Sequence, residues 1–177
     1  MVIFFKSIDP NFIIYVGKDK YENEELIKYA FPIDVWFHVE DMSSAHVYLR
    51  LPEGITIDKI PDDVLEECFQ IVKDNSRDGR KKDKVSVCYT LWENLKKTAS
   101  MEVGEVGFKK QDDVRVAHGI VKNHDVLKRL NKTKEERDVN LESEKDSFNL
   151  ELSNKKKKFY EETVNHKLYN NLLIFNK

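Results

Sequence analysis

Two neighbouring stretches, residues 35–40 and 45–51, alternate apolar and polar positions with a period of two, the rhythm of strands buried on one face. In the first, Val35, Phe37 and Val39 share one face and Trp36, His38 and Glu40 the other; in the second, Ala45, Val47, Leu49 and Leu51 oppose His46, Tyr48 and Arg50. Whether His38 and His46 look to the same side depends on a pairing register that the sequence leaves open. Ahead of them, residues 2–6 and 12–16 are short apolar runs separated by Asp9-Pro10-Asn11, which predicts a hairpin. Between Tyr21 and Ala30 the rhythm changes to helical: Leu26, Ile27 and Ala30 follow Glu22, Glu24 and Glu25, acids that complement a helix N-terminus, and Pro32 stops the run.

Pro61 with Asp62 and Asp63 opens a second helix, with Val64, Leu65, Cys68, Phe69 and Val72 as its apolar stripe. Residues 85–89 read as a strand. Thr90 and Glu93 stand at capping-box spacing and predict a short helix through Lys97. Residues 103–108, with Gly104 and Gly107, read as a turning segment, and residues 114–121 as the final strand. From about Asn123 the chain has neither glycine nor proline and its apolar positions thin out, which predicts one exposed helix. Leu141 and Phe148, and Leu152 and Phe159, keep seven-residue spacing suited to coiled-coil pairing, though no a/d register lasts three heptads. The apolar run at residues 172–175 is a candidate docking segment. The expected fold is therefore α+β: a mainly antiparallel sheet with packed helices over residues 1–121, then a long exposed C-terminal helix over residues 122–177.

Composition sharpens this division. The 177 residues are 40% hydrophobic and 35% charged, a mix that is globular in one part and charge-rich in another. The net charge of −2 conceals a gradient. Residues 1–75 carry 7 Lys/Arg against 15 Asp/Glu, residues 76–121 carry 10 against 7, and residues 122–177 carry 13 against 10, so a polyanion should meet the later segments. Nothing approaches the apolar length of a membrane span. Met1-Val2-Ile3-Phe4-Phe5 lacks a basic start and a cleavage site and reads as strand, not as a signal peptide. The two cysteines, Cys68 and Cys88, form no disulfide framework and suit reduced thiols in the cytoplasm or nucleus.

Four groups of side chains are candidates for chemistry. His38 and His46, with Ser43 and Ser44 between them, can bond phosphate oxygens or stack on bases from a strand-loop-strand edge; a plain turn flanked by core histidines fits the same spacing. Arg77, Arg80, Lys81, Lys82 and Lys84, then Lys96 and Lys97, can neutralise phosphates, or can form a solvated loop with Asp78 and Asp83 interleaved. Trp92 beside them is either a stacking surface or core. Gly17-Lys18-Asp19 with Asn23 offers Lys18 and Asn23 as backbone contacts, but is too short for a phosphate loop. Lys155, Lys156, Lys157 and Lys158 form a nuclear-import patch, a nucleic-acid arm, or simply a solvated helix face. Catalytic and metal chemistry find little support. Asp41 could complete a Ser-His-Asp set, yet no Gly-x-Ser-x-Gly elbow accompanies it. His38, His46, Cys68 and Cys88 lack the close pairs of a zinc site. No cofactor is implied.

Beyond these readings, four motifs resemble the RNA-binding domain of the NFACT proteins. They are Gly17-Lys18-Asp19 running into Tyr21-Glu22-Asn23-Glu24, then Trp36-Phe37-His38-Val39, then Ser43-Ser44-Ala45-His46-Val47-Tyr48-Leu49-Arg50-Leu51, and finally Asn94-Leu95-Lys96-Lys97-Thr98-Ala99. The resemblance covers the chain to about Asp138; beyond it the likeness is one of composition, and the end is rich in Asn and Tyr. It implies a non-enzymatic RNA-binding role tied to tRNA, the ribosome or translation quality control, with His38, Ser43, Ser44, His46, Lys96, Lys97, Lys18 and Asn23 as contacts. It implies DNA as a further ligand. The alternative reading is a protein adaptor whose helical tail docks on a ribosomal or other protein partner. The resemblance does not extend to that partner, because the family's long coil is shortened here.

Overall fold

A computed structural model describes the backbone of residues 1–175 and the side chains of residues 1–166. The candidate docking run at residues 172–175 therefore lies outside the described side chains. The elements in chain order are β1 (Val2–Lys6), β2 (Ile13–Gly17), α1 (Lys20–Tyr29), β3 (Asp34–Val39), β4 (Val47–Arg50), α2 (Asp62–Asn75), β5 (Lys84–Leu91), β6 (Leu95–Lys96), β7 (Gly107–Phe108), β8 (Arg115–Val121), α3 (His124–Asn131), β9 (Glu135–Arg137) and α4 (Leu141–Phe175). Seven strands form one sheet in the order β8-β5-β3-β4-β2-β1-β9, antiparallel throughout, and β6 pairs with β7 apart from it.

The alternation along β3 and β4 sets the two layers. Val35, Phe37, Val39, Val47 and Leu49 point into the larger core with Val64, Cys68 and Val72 of α2. On the opposite face Trp36, Tyr48, Tyr15 and Val2 pack with Leu26 of α1 and Leu95 of β6. Each side chain in a strand can serve only one layer, so both layers must be covered for both sets to be dry. Asp34 anchors the base of the second layer. Wholly buried, its carboxylate accepts hydrogen bonds from Phe31 N at 2.7 Å, Arg50 Nε at 3.0 Å and the Tyr15 hydroxyl. A carboxylate taken out of water survives only with such partners.

The Asp9-Pro10-Asn11 turn forms as expected: Asp9 Oδ1 accepts from Asn11 N at 2.9 Å, and β1 pairs with β2. Two expectations give way. The Thr90/Glu93 helix is absent, because Thr90 still belongs to β5: its hydroxyl donates to the Asp113 carbonyl at 2.9 Å and accepts from the Asn94 side-chain amide at 3.0 Å instead of from a helix N–H. Only a single turn, residues 92–94, precedes β6. The second concerns the predicted tail. Residues 122–141 belong to the first compact unit, Met1–Leu141, instead of to one helix running from Asn123. Leu127 and Leu130 are buried against α2, and the strand β9, unpredicted, pairs with β1 as the sheet's edge, so β8 is not the last strand. The break is held by polar contacts: Asn123 N donates to Gln70 Oε1 at 2.8 Å, and Arg129 reaches the buried Glu67 at 2.5 Å. Glu67 also accepts from Ser7 Oγ and Ile8 N, tying the first hairpin to α2 and α3.

The second unit, Glu142–Lys177, holds the long helix. Its Lys155, Lys156, Lys157 and Lys158 are exposed, as are Phe159 and Tyr160. No described helix is long and apolar enough to cross a membrane.

A chain ended after residue 141 is expected to keep the cooperative unfolding of the head. One ended after residue 121 loses Leu127, Leu130 and β9, and should lose more than the about 2–5 kcal/mol of a single buried Leu→Ala change. Urea unfolding followed by circular dichroism separates the two; equal midpoints would contradict the assignment of residues 122–141 to the head.

Candidate nucleic-acid interface

The register of β3 on β4 settles where the histidines face. Trp36 lies opposite Tyr48 and Phe37 opposite Val47, so the next position brings His38 and His46 to the same side. Their rings meet edge to face at 5.1 Å, and His38 stacks on Trp36 at 5.2 Å. Trp36 Nε1 donates to His46 Nδ1 at 2.9 Å. The proton of this neutral imidazole is therefore on Nε2.

A cleft of about 520 Å³ opens above these rings. It gathers five of the sequence candidates: Asn23, His38, Ser43, Ser44 and His46. Trp36, Met42, Val106 and Phe108 supply its apolar wall. The motif spacing did not reveal its rim, where Glu40, Asp41, Glu102 and Glu105 face a single cation, Lys20.

Burial pushes the His38 pKa down to about 4, against an opposing bond to the Val39 backbone. Burial, then the neighbouring His38 and Lys97, pushes His46 down to about 3. Both rings are thus uncharged near neutrality. As neutral groups they offer ring faces and single hydrogen bonds.

Lys97 is not available to a ligand. Its Nζ donates to Glu24 Oε2 at 2.9 Å and to the carbonyls of Glu102 at 2.6 Å and Glu105 at 2.9 Å, which accounts for all three ammonium hydrogens. Glu24 also accepts from Gly104 N at 2.8 Å. Burial would raise the Glu24 pKa, but the Gly104 N–H and the Lys97 ammonium outweigh it and hold the group below its ordinary value. Gly104 adopts φ 83°, a left-handed conformation that suits glycine. Lys97 therefore builds the wall of the cleft, while its neighbour Lys96 is exposed on β6. Trp92, with Nε1 donating to the Ile27 carbonyl at 2.8 Å, packs with the second layer and is no stacking platform. Lys18 is exposed but paired with Glu136 at 2.9 Å. Cys68 lies in the core on the far side of the sheet from His38 and His46, so the four groups weighed as zinc ligands do not converge.

The basic loop adjoins the cleft. Ser44 Oγ, on the cleft wall, lies 2.8 Å from Ser76 Oγ and accepts from Val39 N at 3.0 Å. Directly after Ser76 come Arg77, Arg80, Lys81 and Lys82, all exposed, with Lys81 loosely paired to Asp78 at 3.4 Å. The loop backbone is fixed from beneath by Lys73, a buried lysine whose Nζ donates to the Gly79 carbonyl at 2.9 Å and to the Lys82 carbonyl.

The neutral histidines make a stability prediction. Their folded pKa values lie below the unfolded value near 6.5, so the unfolded chain binds more protons and stability falls as pH drops below about 6.5. For His46 alone the loss between pH 7 and pH 5 is on the order of 2 kcal/mol. Urea midpoints of wild type and His46→Gln should accordingly converge as pH falls; a constant gap would count against a neutral buried ring.

Known proteins resemble this chain over most of its length. Residues 1–110 match the family described as NFACT protein RNA binding domain. The chain is 51% identical over 156 residues to coiled-coil domain-containing protein 25 of Danio rerio, covering 87% of this chain and 75% of that one. It is 52% identical over 147 residues to the Dictyostelium discoideum homolog, covering 83% and 71%. Protein JLP2 of Saccharomyces cerevisiae is 39% identical over 150 residues, covering 81% and 72%. Among solved structures, the C-terminal part of the fibronectin/fibrinogen-binding protein from Streptococcus suis shares the fold, with a TM-score of 0.59 at 23% identity over 72% of this chain and 48% of that chain. The motifs around Asn23, Trp36, His46 and Lys96 thus lie within a matched domain, and this chain belongs to the NFACT RNA-binding domain family, with coiled-coil domain-containing protein 25 among its relatives.

Proposed function

We propose that the protein is a non-enzymatic RNA-binding module in which the loop carrying Arg77, Arg80, Lys81 and Lys82 grips the sugar-phosphate backbone beside the cleft. The observation that carries this is the run of exposed cations Arg77, Arg80, Lys81 and Lys82 on a backbone that buried Lys73 fixes through the Gly79 and Lys82 carbonyls. The Ser44–Ser76 contact at 2.8 Å links that loop to the cleft wall. Long cationic side chains on a fixed backbone neutralise phosphates without sequence readout, and rings nearby can hold bases that leave the stack. Lys96 is a further phosphate contact from the β6 side. The ligand is tRNA or rRNA, with a place in translation or its quality control, in the cytoplasm or, through the four lysines of α4, the nucleus; the family membership supports this reading, and DNA is the alternative polyanion.

A second reading, a protein adaptor acting through α4, is favoured by the exposure of Phe159 and Tyr160 at 71% and 69% beside those lysines. Deleting residues 142–177 distinguishes the two: most RNA affinity should survive under the first reading, and association should be lost under the second.

Reversing Arg77, Arg80, Lys81 and Lys82 to Glu should weaken RNA binding strongly and flatten the log–log salt dependence. On a single strand the slope should fall by about 0.7 for each phosphate that is no longer neutralised. Fluorescence anisotropy across about 50 to 200 mM salt measures both. Unchanged affinity and slope would sink this placement of the phosphate-binding cations.

A further inference from the structure

Asn23 has no evident duty inside the protein. It sits in the first turns of α1 only 9% exposed, its Oδ1 enclosed and without a hydrogen-bond partner, yet the residue lines the cleft. Room for it is reserved: a Cβ on Gly17 would lie 2.3 Å from Asn23 Oδ1, so glycine at that position lets the amide sit where it does. A buried amide left unpaired is a cost that an apolar side chain would avoid. With Oδ1 shut against Gly17, the amide nitrogen is the end that a ligand in the cleft can meet.

The rest of the cleft restricts what that ligand is. Glu40, Asp41, Glu102 and Glu105 against Lys20 make its mouth negative, so a phosphate is repelled and a hydrogen-bond donor is welcomed. The wall is aromatic: His38 stacks on the nearly buried Trp36, whose ring packs edge to face on Phe108 at 5.7 Å, so His38 and Phe108 are the rings nearest a ligand. At about 520 Å³ the space falls within the range of about 300–1,000 Å³ usual for small-ligand clefts.

We infer that the cleft receives one unstacked nucleobase of a single-stranded RNA, and that it prefers a base whose edge carries an exocyclic amine, adenine or cytosine, over uracil. In this pose the Asn23 amide donates to the ring nitrogen beside the amine, N1 of adenine or N3 of cytosine. The amine itself donates to the rim carboxylates. Uracil has a carbonyl oxygen where those bases have the amine, and that oxygen would face the same carboxylates. The neutral state of His38, whose pKa burial lowers to about 4, keeps its ring a stacking surface instead of a second cation. The inference rests on the RNA-binding reading above and gives it a base preference.

The test uses the full-length protein with fluorescent oligo(rA), oligo(rC) and oligo(rU) of equal length at one ionic strength. Oligo(rA) and oligo(rC) should bind about tenfold or more tightly than oligo(rU). Asn23→Ala should erase that ratio while leaving the salt slope and the thermal midpoint intact. Gly17→Ala, which displaces the amide without removing it, should also erase that ratio, with a lower thermal midpoint because its Cβ would stand 3.0 Å from Asn23 N. Equal binding of all three oligomers by the wild type overturns the base pocket and leaves the RNA reading standing. Binding of none overturns both. If a lysine-bearing peptide displaces oligo(rA) from the wild type but not from Asn23→Ala, the cleft serves a cationic protein segment and the nucleobase assignment is wrong.

Discussion

The ammonium of Lys97 is the contact on which the candidate site depends. It joins α1, through Glu24, to the two carbonyls that shape residues 102–105, and Glu24 in turn holds Gly104 by its N–H. That segment has few large apolar side chains to dock it, so polar contacts set its position. The pair is only about one-quarter to one-third exposed, which spares it much of the solvent screening that makes surface ion pairs weak. With the segment in place His46 is covered, Trp36 is sealed and the cleft has its far wall. A cation that sequence motifs present as a ligand contact is therefore spent on construction, and Lys96 beside it is the one left facing solvent.

Charge is divided by surface within the head more sharply than along the chain. The cleft is acidic around neutral rings, and the loop that adjoins it is basic on an anchored backbone. Lys73 holds the loop from below: its buried ammonium takes two loop carbonyls, so the loop backbone does not depend on the outer side chains alone. Such a division suits a polymer whose backbone and bases have opposite requirements. Phosphates need exposed cations that release counterions, whereas a base is a neutral plate that needs walls and directed hydrogen bonds.

Local rhythm was a reliable guide wherever an element's partner lay close in sequence or its faces were set by period. The first hairpin, the two alternating strands, the acidic start of α1 and the stripe of α2 all follow from side-chain spacing. Spacing failed where a distant group competed for a residue. Thr90 has the position of a helix cap, but β5 holds its backbone extended and the Asp113 carbonyl and the Asn94 amide take its hydroxyl as donor and acceptor. The stretch after Asn123 is rich in helix formers and free of breakers, yet Gln70, Glu67 and the open edge of β1 divide it into α3 and β9.

The candidate site shows the same boundary. The sequence by itself determined which residues could take part: it supplied the two histidines, the serines between them, Asn23 and the basic run, and through them the family. Only the tertiary structure decided what each does. The pairing of β3 with β4 turned His38 and His46 to one face and burial made them neutral. Gly17 makes room for the Asn23 amide, whose enclosed Oδ1 has no partner, and three acceptors from two segments consumed Lys97. The reason is physical. Which face a strand side chain takes is set by its immediate neighbours, but charge state and free hydrogen-bonding capacity depend on every group that folding brings within reach.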